Sequence, residues 1–234
     1  MTTEATGPGW PVGERATVDD DGQASSTRSS PAPPARAGGA ARLSRPRAFD
    51  PARVASLECD AWVAYYQRRW LRLLVAAVGL VRAGLGMSWP RTLHAAWYLL
   101  RAIMFWAPLR DNDPPRAQAY MRRFYDLVKA TCGQPRDPAE SARLEIEWWR
   151  VHRVAQQAAA GPSDELVDAL ARLYAFVLGV PEPAVRPAAF HRCRAMEISD
   201  RWVAQGSRSD SPLIASERTV LIRSYEALLA AVGG

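Results

Sequence analysis

Lysine is nearly missing from this chain of 234 residues: Lys129 is the only one, and arginine supplies the rest of the strong positive charge. That excludes chemistry needing a lysine at a set place, such as a Schiff base or the phosphate-binding lysine of a P-loop. Histidine is almost as scarce, with His94, His152 and His191 the whole supply. The cysteines Cys59, Cys132 and Cys193 stand far apart, odd in number and without a Cys-x-x-Cys pair. No disulfide framework follows from them, and a reducing, cytoplasmic setting is expected.

Other absences narrow the field further. Met1-Thr2-Thr3-Glu4 is not a basic start followed by an apolar run, so no secretory signal is expected. No stretch of about 18 residues is free of charge, which argues against a standard membrane span. There is no alternating, β-branched run bounded by turns, so no sheet is expected. No nucleophile elbow, glycine-rich phosphate loop or serine–histidine arrangement occurs, and no catalytic residue is assigned. The net charge of +6 is modest. With arginines scattered among acids and no zinc-finger spacing, nucleic acid is not an expected partner.

Residues 1 to 48 are rich in Ser, Pro, Ala and Gly, as in Ser29-Ser30-Pro31-Ala32-Pro33-Pro34. They have little to bury, and their composition predicts a disordered leader. From residue 49 to 234 every start signal is helical. Asp50-Pro51, Asp113-Pro114, Asp137-Pro138 and Ser211-Pro212 each place a capping side chain before a proline at the first helical position. Stops follow at Gly84, Gly86, Pro108, Gly133, Gly161, Gly179 and Gly206. The pattern predicts an all-α, bundle-like domain of about seven helices. The first would run from Pro51 to Leu85 with a kink near Gly79, and the fourth from Pro138 to Ala159.

Within the fourth, helical spacing puts Glu145, Trp149 and His152 in one row, beside Leu144, Trp148 and Val151. The segment Leu57-Glu58-Cys59-Asp60-Ala61-Trp62 echoes Leu144-Glu145-Ile146-Glu147-Trp148-Trp149, with Tyr65 opposite His152. Glu58 falls inside an apolar stripe, and so does Glu217 in the last helix. A carboxylate aimed at a core needs a cation, a metal or several donors. Glu58, Trp62, Tyr65, Glu145, Trp149, His152 and Glu217 are therefore the candidate ligand-binding residues. Glu58, Glu145, His152 and Glu217 would be the ligands of a divalent metal, if a cofactor is held. Carboxylate-bridged metal bundles supply ligands in a similar way, but they use Glu-x-x-His, which occurs nowhere here. The competing expectation is that arginines, Arg192 among them, reach in and pair with the acids. On either account Glu58, Glu145 and His152 should meet, with the first and fourth helices packed together.

The segment from Trp70 to Trp106 is apolar on all sides, with Arg72, Arg82, Arg91 and Arg101 spaced along it. A buried helical hairpin is the expectation, in which His94 is a packed core residue. Replacing Trp97 by Ala should then cost roughly 3–5 kcal/mol. The function favoured is an interaction or scaffold domain acting on an unknown protein partner or by self-association. The alternatives are a bundle that binds a metal or small ligand, and a peripheral protein on a membrane surface.

Overall fold

A computed structural model describes residues 48–108, 110–133, 136–157 and 163–233. The expected leader, apart from Ala48, lies outside the described residues. The rest is all-α, with eight helices and no strand among the described residues. They are α1 (Pro51–Tyr66), α2 (Trp70–Leu85), α3 (Trp89–Trp106), α4 (Pro114–Cys132), α5 (Pro138–Gln157), α6 (Asp164–Leu178), α7 (Glu182–Ala204) and α8 (Pro212–Gly233).

The proline-led starts form as their residue types dictate. Asp50 accepts the backbone N–H groups of Ala52 and Arg53 at 3.0 and 3.2 Å. Asp113 accepts that of Arg116, and Asp137 that of Ala139. Each satisfies donors that a helix start leaves without intrahelical partners. Gly86, Gly133 and Gly179 close α2, α4 and α6 in the left-handed conformation.

The extra helix comes from a break that no glycine or proline announces. The expected single helix from Pro51 to Leu85 ends at Tyr66, where Arg68 turns left-handed at φ 56°. Arg69 N–H reaches the Ala64 carbonyl at 2.8 Å and Arg68 N–H the Tyr65 carbonyl at 3.0 Å. This is a Schellman ending with arginine where glycine is usual. Tertiary contacts support it: Gln67 Nε2 donates to the Ser207 carbonyl and to Ser209 Oγ, across to the loop joining α7 and α8. Gly79, the expected kink, lies within the helical run of α2 instead. A Cβ there would meet Leu57 of α1 at 3.0 Å, so its small size serves the close approach of the two helices.

Each helix packs on the next in sequence, and α1 also packs on α8, so the neighbours form a closed cycle. One core cluster runs from Val81 and Met121 through Trp148, Trp149 and Leu170 to Val185 and Cys193. A smaller one joins Ala55 and Cys59 of α1 to Ala195 and Leu221. α1 and α5 are not packing neighbours, contrary to the expectation for the first and fourth predicted helices.

Arg68→Gly should stabilise the domain, because a left-handed arginine costs about 1–2 kcal/mol that glycine does not. Part of that is offset by glycine's freedom when unfolded, leaving a net gain of about 1 kcal/mol and a rise in Tm of about 2–4 °C. Thermal unfolding followed by circular dichroism measures it; a lower Tm would contradict the assignment.

Candidate functional site

The inward acids are satisfied by their own protein. Glu58, 4% exposed, accepts from Arg192 through both guanidinium arms, Nη2 to Oε1 at 2.5 Å and Nη1 to Oε2 at 2.9 Å. The Tyr225 hydroxyl donates to Oε2 at 2.5 Å and Trp62 Nε1 to Oε1 at 3.4 Å. Burial works against the charge on Arg192, but Glu58, Tyr174 and Tyr225 more than offset it and hold the guanidinium well above its usual value. Burial and the Glu58 charge raise the Tyr225 hydroxyl in turn, so it stays a donor.

Glu145 repeats the scheme on α5. Tyr125 donates to it at 2.6 Å and Trp148 Nε1 at 3.1 Å. Burial pushes its carboxyl up, and the Tyr125 and Trp148 hydrogen bonds and the Arg192 charge pull it back. The two echoed segments thus do the same thing: an inward-facing glutamate takes one indole from its own helix and one tyrosine from a neighbour. Tyr174 of α6 feels the charges of Arg192, Glu58 and Glu145, so the arginine and both acids lie within reach of one phenol.

The remaining candidates fall elsewhere. His152 Nε2 lies 3.4 Å from Asp200 Oδ2 without hydrogen-bond alignment, and Gln156 donates to the other oxygen of that carboxylate at 2.6 Å. Trp149 is buried against Trp106, with ring centroids 5.8 Å apart. Tyr65 belongs to an edge-on aromatic group with Trp62, Tyr66 and Trp70. Among the described residues no three of His, Cys, Asp and Glu come together so as to hold a metal ion. The metal set of Glu58, Glu145, His152 and Glu217 is therefore not assembled. Indole, phenol and guanidinium donors occupy the first two acids, and His152 faces Asp200. A cleft of about 330 Å³ between the end of α3, the start of α4 and α5 is bordered by Trp106, Gln118, Glu147 and Arg153, and by none of the seven candidates.

Glu217 is the exception to the rule of satisfaction. It is 2% exposed, and its Oε2 is buried with no hydrogen-bond partner. Burial and the nearby Glu58 charge push its carboxyl up to about 8, against the pull of Arg192 and Arg218. It is therefore held as the neutral acid near pH 7.

No family model, characterised protein or solved structure matches this chain.

The surface that calls for an explanation lies on α2 and α3. Among the described residues, all the exposed large apolar side chains except Val154 and Phe190 are there: Trp70, Leu71, Leu74, Val75, Trp89, Leu93, Trp97 and Met104. The expected buried hairpin is thus only half buried, and His94 is exposed as well. The buried residues are mostly small, Ala76, Ala77, Thr92, Ala95, Ala96 and Ala102 together with Val81, and Leu85, Leu99, Ile103, Phe105 and Trp106 pack partly against the core, while the bulky side chains named above face out. Leu71, Val75 and Arg82 share one face of α2; Trp89, Leu93, Trp97, Arg101 and Met104 share one face of α3. The two faces meet at the corner, where the helices bend by 118° and the Arg82 guanidinium lies 4.2 Å from the Trp89 ring centre. Arg82 also donates to the Met87 carbonyl at 3.0 Å. No single helix among the described residues is long and apolar enough to cross a membrane.

A signal for this face was present and unread. Between Asp60 and Asp111 there is no acidic residue, while Arg68, Arg69, Arg72, Arg82, Arg91 and Arg101 all fall there. The idea that arginines are interleaved with acids fails over this stretch.

Two outcomes follow. Trp97, 55% exposed, should tolerate Ala within about 0.5 kcal/mol, as surface positions do. Trp202, 1% exposed and bonded through Nε1 to the Arg208 carbonyl, should lose roughly 3–5 kcal/mol on the same change. Urea titration of both variants checks the pair, and a large loss at Trp97 would restore the buried hairpin. Separately, the raised carboxyl of Glu217 binds its proton in the folded state and releases it on unfolding. Its contribution is full below the ordinary value of 4.5 and is lost as pH rises to about 8. Glu217→Gln should flatten the fall of Tm between those limits and raise Tm at pH 8. Parallel curves for the two proteins would contradict the neutral acid.

Proposed function

We propose that this chain is a peripheral membrane-surface protein whose working surface is the α2–α3 elbow, lying in the interface with its bulky residues among the lipids. The observation that carries the reading is the size inversion on these two helices. A helix apolar on every side needs an apolar environment on every side. Here the domain covers one side of the pair, where the fully buried residues are mostly small, and leaves eight large apolar side chains exposed. Partial burial of eight large apolar side chains in lipid is worth on the order of 5–10 kcal/mol, taking roughly 1.5–3 for each one fully transferred. A single myristoyl chain attaches a protein reversibly with less than the upper end of that range.

The residue types suit an interface. Tryptophan and arginine both favour the boundary between headgroups and acyl chains, the arginine stem running through apolar surroundings to a wet guanidinium. A helix packed along one side on its own domain lies flat rather than spanning. A second copy is a poorer occupant, because a two-fold pairing of this face would set arginine against arginine with no acid to meet it. The buried thiols of Cys59 and Cys193, neither in a disulfide, suit the cytoplasmic side of the membrane.

Co-sedimentation with vesicles of mixed phosphatidylcholine and phosphatidylglycerol tests the reading. The unaltered protein should pellet with the vesicles. The double variant Leu93→Glu, Trp97→Glu should stay in the supernatant with its Tm unchanged, since both positions are exposed. Wild type left in the supernatant would refute membrane docking, and so would a dimer in analytical ultracentrifugation that the double variant abolishes.

A further inference from the structure

We infer that the surface so docked selects anionic phospholipid, and that the arginine–aromatic cluster where α3 meets α4 is where a headgroup phosphate sits. The inference rests on the membrane reading and adds the lipid class and the residues that recognise it.

The cluster is built around two stacked rings. Phe105 of α3 and Tyr120 of α4 lie 5.6 Å apart at an interplanar angle of 18°. The Arg101 guanidinium carbon is 4.8 Å from the Phe105 ring centre, 5.5 Å from that of Tyr120 and 5.6 Å from that of Trp97. Arg116 lies 5.4 Å from Phe105, and Arg123 lies 5.3 Å from Tyr120. Three cations thus gather on one aromatic pair. The acid that pairs with any of them is Asp113, 3.6 Å from Arg116 and also spent on capping α4. Asp126, one turn along α4 from Arg123, forms no ion pair with it among the described residues.

Arg101 most needs an anion. It is half-buried, its Nε is buried with no hydrogen-bond partner, and no carboxylate reaches it among the described residues. Arginines elsewhere are treated differently: Arg143, Arg150, Arg192 and Arg218 all pair with carboxylates at 2.5–2.8 Å. Arg72, Arg82 and Arg91, along the docked helices, form no ion pair among the described residues. A planar fork of donors over aromatic faces suits a phosphate, which can take two N–H groups at once. The position suits a headgroup too. Arg101 follows the exposed Trp97 by one turn, so with α3 lying flat its guanidinium sits beside the Trp97 ring in the interface and extends to the phosphate level along its own stem. Arg122 and Lys129 extend the positive edge along α4.

Binding to phosphatidylcholine vesicles is compared with binding to vesicles that also contain phosphatidylglycerol, at low and high salt. The anionic vesicles should bind the protein at least tenfold more tightly, with the difference shrinking as salt rises. Arg101→Gln and Arg123→Gln, tested separately, should each remove roughly fivefold of that preference and leave binding to phosphatidylcholine unchanged. Arg123 is exposed, so its variant keeps the fold and the test holds even if Arg101→Gln unfolds. Equal binding to both vesicle types would overturn the lipid selection and leave membrane docking standing. An undiminished preference in Arg123→Gln would overturn the assigned phosphate point. Binding to neither vesicle would overturn the membrane reading itself.

Discussion

The pairing of buried carboxylates with donors from other helices is the constraint on which the fold depends. Glu58 on α1 is held by Arg192 on α7 and Tyr225 on α8, so one side chain ties the first helix to the last two and closes the cycle. Glu145 on α5 takes Tyr125 from α4, and Tyr174 on α6 shares the field of both acids. A buried ion pair adds little net stability over an apolar core, because taking both charges from water costs nearly what their attraction returns. Its demand is directional instead: every donor must arrive, or a charge is left bare. The helices must therefore assemble in one register. Glu217, with no donor for one oxygen, keeps its proton and avoids becoming such a bare charge.

The same cycle explains the outward face of α2 and α3. Both join their neighbours through small side chains: Gly79 lies against Leu57, and Ala95, Ala96 and Ala102 are buried on α3. Contacts this close leave no room for large side chains at those points. The exposed bulky residues are left on the opposite side, where none of the described residues covers them. The Arg68 turn fixes the start of the elbow and the Arg82–Trp89 contact its corner, so the exposed stripes are held by the fold.

Much of the fold was legible because its signals are local. Capping acids ahead of Pro51, Pro114 and Pro138, and the glycines after α2, α4 and α6, mark boundaries by backbone chemistry alone. The break at Arg68 was hidden because a tertiary contact, Gln67 on Ser207 and Ser209, holds a left-handed turn that the local residues do not favour. That Glu58 and Glu145 point inward could be read from their stripes. Their partners could not, because Arg192 and Tyr225 lie more than a hundred residues from Glu58. The outer face of α2 and α3 was expected in the core because hydropathy does not separate a face that the protein covers from one it leaves exposed. Two features separate them: the inward placement of small residues, visible only in the packing, and the run without acids from Asp60 to Asp111, visible in the sequence.

The depth of a spin label on α3 tests the central claim most directly. Leu93→Cys offers an exposed thiol, while the three native cysteines are buried. With anionic vesicles present, a nitroxide at position 93 should become accessible to dissolved oxygen and shielded from an aqueous nickel reagent. A second label at exposed Arg186 on α7 should stay open to nickel. A label at 93 that remains open to nickel while the protein is bound to vesicles would contradict insertion of this face.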